Sequence, residues 1–189
     1  SANDFSYLNY FGSYGTGDGQ IDIPASICSD GQYLYVADYV NHRIQKFTLS
    51  GTFVSKIGSS QGSGDGQFNY PHCMRYCNGK LYICDLSNSR LKIHSASDLS
   101  FIENISLTYL PYSCWIDAEK QVILVKGWTA LFIYNLSDYS RIKTKGALAS
   151  GHGSIIINDY IFYSDSGNHK IIRLNYSDLS DAGSYSPGT

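Results

Sequence analysis

The apolar positions of the chain fall in short alternating runs, and one pair of runs returns. Residues 33–47, YLYVADYVNHRIQKF, show an alternating apolar run, an Asp, a polar turn containing Asn, a basic residue and a second alternating run. A period of two broken by turn residues predicts a β-hairpin, because successive strand residues face opposite sides of a sheet. The pattern comes back 47 residues later and then 80 residues after that, as KLYICDLSNSRLKIH (80–94) and YIFYSDSGNHKIIRL (160–174). Recurrence on this scale predicts a repeat architecture, each copy being one unit of packed β-structure.

Around each hairpin the same order of elements recurs. A glycine loop, GTGDGQ (15–20) or GSGDGQF (62–68), leads to Pro24 or Pro71 and a short apolar strand; the hairpin follows, then an outer strand such as TFVSKIG (52–58). The third cycle lacks the glycine loop and starts at Pro111, with strands expected at 112–116, 121–126, 130–135 and 140–145. The fourth begins near Gly151, with strands near 153–158, 160–164 and 170–175. Because SYLNYFG (6–12) aligns with TFVSKIG, the opening segment is expected to supply the missing outer strand of the last sheet. The prediction is an all-β propeller of four blades with four antiparallel strands each, in one domain over residues 1–179. Its blades are expected at about 24–58, 71–107, 111–145 and 153–175, closed by the N-terminal strand 6–12. Residues 180–189, SDAGSYSPGT, remain as a C-terminal tail, read either as a disordered terminus or as a donor segment for a neighbouring subunit's sheet edge.

Strand, GxGDGQF loop, Pro, strand and YVAD-x-x-NHRIQ-x-F together resemble the NHL repeat over nearly all of residues 10–95, with a weaker trace in 151–179. The resemblance implies a β-propeller, in that family usually of six blades and closed by pairing a terminal strand with the blade at the other end. Strands for four are found here, within the range that propellers show. Cycle three departs most, with Lys126 about where the Asp belongs and Ala130 where the Arg belongs. Closure is also expected on physical grounds, since an open stack leaves sheet faces and edges free to aggregate.

Charge narrows the function classes. With a net charge of −2 and no window rich in Lys or Arg, the chain lacks the basic face that binds nucleic acid or anionic lipid. No apolar run is long enough for membrane insertion. The first residue is Ser1, as expected of a secreted protein after signal removal or of an engineered start. The 17 tyrosines point to an aromatic, hydroxyl-rich surface suited to contacts, and Asn104, Asn135 and Asn175 stand in Asn-x-Ser sequons that fit an extracellular glycoprotein. Cys28, Cys73, Cys77, Cys84 and Cys114 lack paired C-x-x-C spacing, so they read as buried small side chains. One pair stands apart. If Asn78-Gly79 is a two-residue turn, counting back sets Cys73 across from Cys84, where a cross-strand disulfide is geometrically open.

Three groups of residues invite a chemical reading. Asp38 with Arg43, Asp85 with Arg90, and Asp165 with Lys170 repeat at hairpin turns, and repetition favours turn-fixing ion pairs over catalysis. Asn41, Asn88 and Asn168 fit the same turns through tolerance of left-handed backbone. The glycine loops precede strands rather than helices and so are not phosphate cradles, and Asp18 and Asp65 lack the alternating ligand set of a calcium loop. His72 and His152 lie at the entrances of innermost strands in blades two and four, with Ala25 and Tyr112 matching them in the other blades. Both rings can reach one channel mouth, where propeller lyases similar to NHL proteins hold zinc through histidines. The leading expectation is a non-catalytic interaction or self-assembly module, extracellular, with copies of itself as partners and no cofactor. A metal-dependent lyase or hydrolase at His72 and His152, and glycan binding through exposed Tyr, Trp115 and Trp128, stand as alternatives.

Overall fold

The computed structural model describes residues 10–148 and 150–185, and these are all β apart from one 3₁₀ turn at Leu86–Asn88. Blade 1 comprises β1 (Pro24–Ser29), β2 (Tyr33–Asp38), β3 (Arg43–Thr48) and β4 (Phe53–Ile57). Blade 2 comprises β5 (Pro71–Cys77), β6 (Lys80–Asp85), β7 (Arg90–Ser95) and β8 (Phe101–Ser106). Blade 3 is β9 (Pro111–Asp117), β10 (Val122–Gly127), β11 (Leu131–Asn135) and β12 (Arg141–Lys145). Blade 4 is β13 (Ser154–Ile157), β14 (Tyr160–Asp165), β15 (Lys170–Asn175) and β16 (Asp181–Tyr185). Within each blade the strands follow chain order, every neighbour antiparallel. The fold is thus a β-propeller array of four sheets of four strands.

Alternation along the strands gives each blade two faces. Met74, Leu81 and Ile83 of blade 2 pack on Tyr35, Ala37 and Ile44 of blade 1. The opposite face of blade 2, with Tyr82, Leu91 and Ile93, meets Ile123, Val125 and Phe132 of blade 3. Leu124, Leu131 and Ile133 then meet Ile161, Tyr163 and Leu174 of blade 4. The innermost strands pack in sequence, β1 on β5, β5 on β9 and β9 on β13. Hydroxyls assist at two of these seams. Ser26 Oγ accepts from the Met74 N–H at 3.1 Å, and Ser113 Oγ lies 3.1 Å from Ser154 Oγ.

Among the described residues, two blade faces have no other blade packed on them. On blade 1 the face turned away from blade 2 carries Ile27, 56% exposed, beside a concavity of about 430 Å³ that Phe11, Ile21 and Val36 also line. On blade 4 the face turned away from blade 3 carries Ile155, Phe162 and Ile171, the last 45% exposed, around a concavity of about 300 Å³.

The C-terminal stretch differs from the expectation. Residues 181–185, read as part of a tail, form β16 and fill the outer place of blade 4, with Ile171 opposite Tyr185 and Leu174 opposite Asp181. A sequence of small and polar residues can hold that place because an edge strand pairs through its backbone. The place reserved for the N-terminal strand is therefore taken, and β16 is not free to donate to a neighbour. Of the expected closing strand 6–12, residues 6–9 lie outside the described residues, and residues 10–12 form no strand.

The hairpin at Asn78-Gly79 is as the sequence predicts, with left-handed φ of 48° and 76° and Cys77 facing Lys80. Counting back holds as far as Met74, and beyond it one extra residue enters the strand. Met74 faces Ile83 but Pro71 faces Asp85, so His72 and Cys73 together oppose Cys84 across a β-bulge.

Candidate functional site at the channel mouth

The same irregularity recurs at the start of the inner strands. In β1, Pro24 faces Asp38 and Ser26 faces Ala37, leaving Ala25 over. In β9, Pro111 faces Gly127 and Ser113 faces Lys126, leaving Tyr112 over. A bulge kinks its strand and re-aims the extra side chain, and here each bulge lies at the channel mouth. In blade 4 the corresponding His152 precedes β13, where its N–H and that of Gly153 donate to Ser164 Oγ at 3.1 and 3.0 Å.

These devices bring His72, Tyr112 and His152 together. Ring centroids are 5.6 Å apart for His72 and Tyr112, 5.1 Å for Tyr112 and His152, and 6.5 Å for the two histidines. Trp128 lies 5.1 Å from Tyr112 and 6.0 Å from His152, and Tyr39 lies 6.0 Å from His72. His72 Nδ1 is 2.9 Å from the Tyr112 carbonyl oxygen, which can only accept, so Nδ1 carries the proton and Nε2 is left for a ligand. A cavity of about 430 Å³ is lined by Ile23, Tyr39, His72, Tyr112 and His152, and one of about 250 Å³ beside it also touches Cys73 and Arg75.

The chemistry this set offers is aromatic. Edge-to-face rings and a half-exposed indole suit stacking against a planar or sugar ring. Among the described residues no third His, Cys, Asp or Glu joins His72 and His152 as a metal ligand. A catalytic zinc takes three protein ligands, which this pair does not supply.

The repeated turn residues form polar staples in blades 1 and 2. Arg43 Nε donates to Asp38 Oδ2 at 2.9 Å, while its other nitrogens donate to the carbonyls of Thr16, Gly17 and Gln20 at 2.7 to 3.0 Å. Arg90 does the same, reaching Asp85 Oδ2 at 2.7 Å and the Ser63 carbonyl at 2.8 Å. The glycine loops are thus held by a guanidinium fork against their carbonyls. Asn41 and Asn88 serve in a different way from the expected one. Their amides bond the loop carbonyls of Gly15 and Gly62 and the Asp carboxylates at 2.8 to 2.9 Å, while the left-handed residues are the next ones, His42 and Ser89. In blade 4, Asn168 bonds Asp165 and His169 is the left-handed residue, but Lys170 is exposed and makes no ion pair with Asp165 among the described residues. In blade 3 the register places Gly127, not Lys126, where blades 1 and 2 have their Asp, and Lys126 Nζ donates to the Gly127 and Trp128 carbonyls at 2.6 and 3.1 Å.

Cys73 and Cys84 carry free thiols in the structure, like the other three cysteines, and Cys73 shares the place across from Cys84 with His72. The sequence reading missed Cys114, whose sulfur joins theirs: the three Sγ atoms lie within 4.8 Å of one another. Of the sequon residues, Asn135 and Asn175 stand at hairpin turns and bond Ser137 and Ser180, whereas Asn104 is half-buried in β8. His94 is buried, with Nδ1 donating to the Leu99 carbonyl at 2.8 Å and Nε2 unpaired. Its burial and the nearby Lys92 lower its pKa below the usual histidine value.

Comparison with known proteins agrees with the fold. The NHL repeat model matches residues 22–47. No curated protein sequence matches the chain. Among solved structures, a putative exported protein from Bacteroides fragilis is 20% identical with a TM-score of 0.66, over 94% of this chain and 55% of that one. Hydrazine synthase from Kuenenia stuttgartiensis is 12% identical with a TM-score of 0.73, over 91% of this chain and 52% of that one. A chain of a nidogen–laminin complex is 16% identical with a TM-score of 0.72, over 88% of this chain and 65% of that one. The chain thus spans between about half and two thirds of the length of these structures. Repeat, strand order and structural neighbours agree: the chain has a β-propeller fold and carries an NHL repeat at residues 22–47.

Proposed function

We propose that the chain is a non-catalytic interaction module, acting outside the cell, that associates with copies of itself through the bare faces of blades 1 and 4. The observation that carries this is the kind of face left bare. Inside the molecule, the face of one blade bearing residues such as Tyr35 and Ile44 always meets the face of the next bearing Leu81 and Ile83. Among the described residues no further blade packs on the outer faces of blades 1 and 4, and these two faces are of the opposite kinds that meet within the chain. Exposed contiguous apolar area of this sort marks an interaction surface. A second copy supplies the complement of each, in a head-to-tail contact that either closes a ring or extends. An extracellular setting is supported by the exported neighbour and by sequons at two exposed turns.

Sedimentation of the unaltered chain over a concentration series tests the reading. Association that weakens in Ile171→Asp is expected, whereas a chain that stays monomeric at every concentration contradicts it. A second reading, glycan binding at the channel mouth, rests on Trp128, 42% exposed and stacked near Tyr112. A glycan array with the unaltered chain and Trp128→Ala is expected to show binding that the substitution removes; a blank array ends that reading.

A further inference from the structure

The three-sulfur cluster lies between blades 2 and 3, where Cys73 shares a cavity wall with the rings of His72, Tyr112 and His152. Cys73 comes from the bulge of β5, Cys84 from β6 and Cys114 from β9 of the next blade. Cys84 and Cys114 are fully buried, and Cys73 is half-buried on the wall of the 250 Å³ cavity, which Arg75 also lines. Around them are apolar side chains, including Tyr82, Leu91 and Val125.

Two observations favour a ligand set over chance packing. The Sγ atoms lie within 4.8 Å of one another, close to the separation of about 4 Å that sulfurs about 2.3 Å from one ion would adopt. Finally, the cavity wall formed by Cys73 gives an entry path, which an enclosed cluster would lack.

We propose that Cys73, Cys84 and Cys114 form a three-coordinate sulfur site for a soft, thiophilic ion, monovalent copper, entered from the channel. Structural zinc takes four protein ligands, and among the described residues no fourth His, Cys, Asp or Glu completes this group. Buried thiolates select soft ions, and monovalent copper is served by sulfur alone. Binding displaces the thiol protons of Cys73, Cys84 and Cys114 to solvent, and no electron is transferred. The Arg75 guanidinium offsets part of the charge of the sulfurs.

The test is an anaerobic titration of the full, reduced chain with monovalent copper against a competing copper chelator. One ion per chain is expected, with sulfur-to-copper charge-transfer absorption and, by X-ray absorption, sulfur as the sole ligand type. Cys73→Ser, at the half-buried position, is expected to weaken binding by about 100-fold or more, and Cys77→Ser and Cys28→Ser to leave it unchanged. Circular dichroism establishes that each variant is folded; if Cys73→Ser is not, Cys114→Ala takes its place. Copper lost entirely to the chelator, or held equally well by the folded Cys73→Ser or Cys114→Ala chain, overturns the proposal. So does a Cys73–Cys84 disulfide found by mass spectrometry in chain isolated without reductant.

Discussion

The face between blades 2 and 3 and the outer face of blade 4 are made from nearly the same kind of strand. Strand β6 reads KLYICD and strand β14 reads YIFYSD, and both place apolar side chains on both sides of the sheet. In the first case Tyr82, Leu91 and Ile93 disappear against Ile123, Val125 and Phe132. In the second Ile157, Tyr160 and Ile171 stay exposed. Blade 4 is therefore patterned as a blade with neighbours on both sides, and sheets with one solvated face normally alternate apolar with polar instead. The lesson is that the bare faces are fitted for cover, and the association proposed above is one way of supplying it.

Substitutions can break this contrast, and the largest effect is expected inside the stack. Phe132→Ala leaves a cavity between blades 2 and 3 and is expected to cost about 3–5 kcal/mol in denaturant unfolding. If it costs no more than Ile171→Ala, the two faces are equivalent and the contrast fails. Next comes Arg43→Ala, expected to cost about 3 kcal/mol because the fully buried Asp38 loses its cation and the loop carbonyls lose their donors. On the bare side of blade 1 this staple, rather than apolar cover, holds the glycine loop. Lys170→Ala, at the matching exposed position of blade 4, is expected to change stability by less than about 0.5 kcal/mol.

A smaller effect reports on the face between blades 1 and 2, where His94 is buried near Lys92 and Arg90. Its folded pKa is below the unfolded value of about 6.5, so between those two values the unfolded chain binds more protons. Stability therefore falls as pH drops below about 6.5 and levels off under the lowered folded pKa. Unfolding midpoints at a series of pH values should show this slope, and it should flatten in His94→Gln. Smallest of all is Ile171→Asp, which should leave the unfolding free energy of the isolated chain within about 0.5 kcal/mol while abolishing association.

Much of the fold was legible because period-two runs and turn residues mark strands locally. Fifteen of the strands, the Asn78-Gly79 turn and the convergence of His72 with His152 all follow from counting along repeats. What escaped was set by single residues or by packing between blades. The bulge adds one residue without disturbing the visible alternation, so His72 joins Cys73 across from Cys84. Cys114 approaches only because β9 packs on β5, a contact between blades that no spacing within a repeat reveals. The left-handed position fell on His42 rather than Asn41, since the Asn amide was needed for the Asp and the loop carbonyl. Strand β16 was invisible because DAGSY offers no apolar alternation and pairs through its backbone.

The central claim is that blade 1 of one copy covers blade 4 of another, and mixing two variants tests it most directly. Ile27→Asp spoils one bare face and Ile171→Asp the other, so each variant alone should sediment as a monomer. An equimolar mixture should form a one-to-one dimer and stop there, because one intact face of each kind remains. A mixture that stays monomeric where the unaltered chain associates, or either variant associating alone as the unaltered chain does, would contradict the claim.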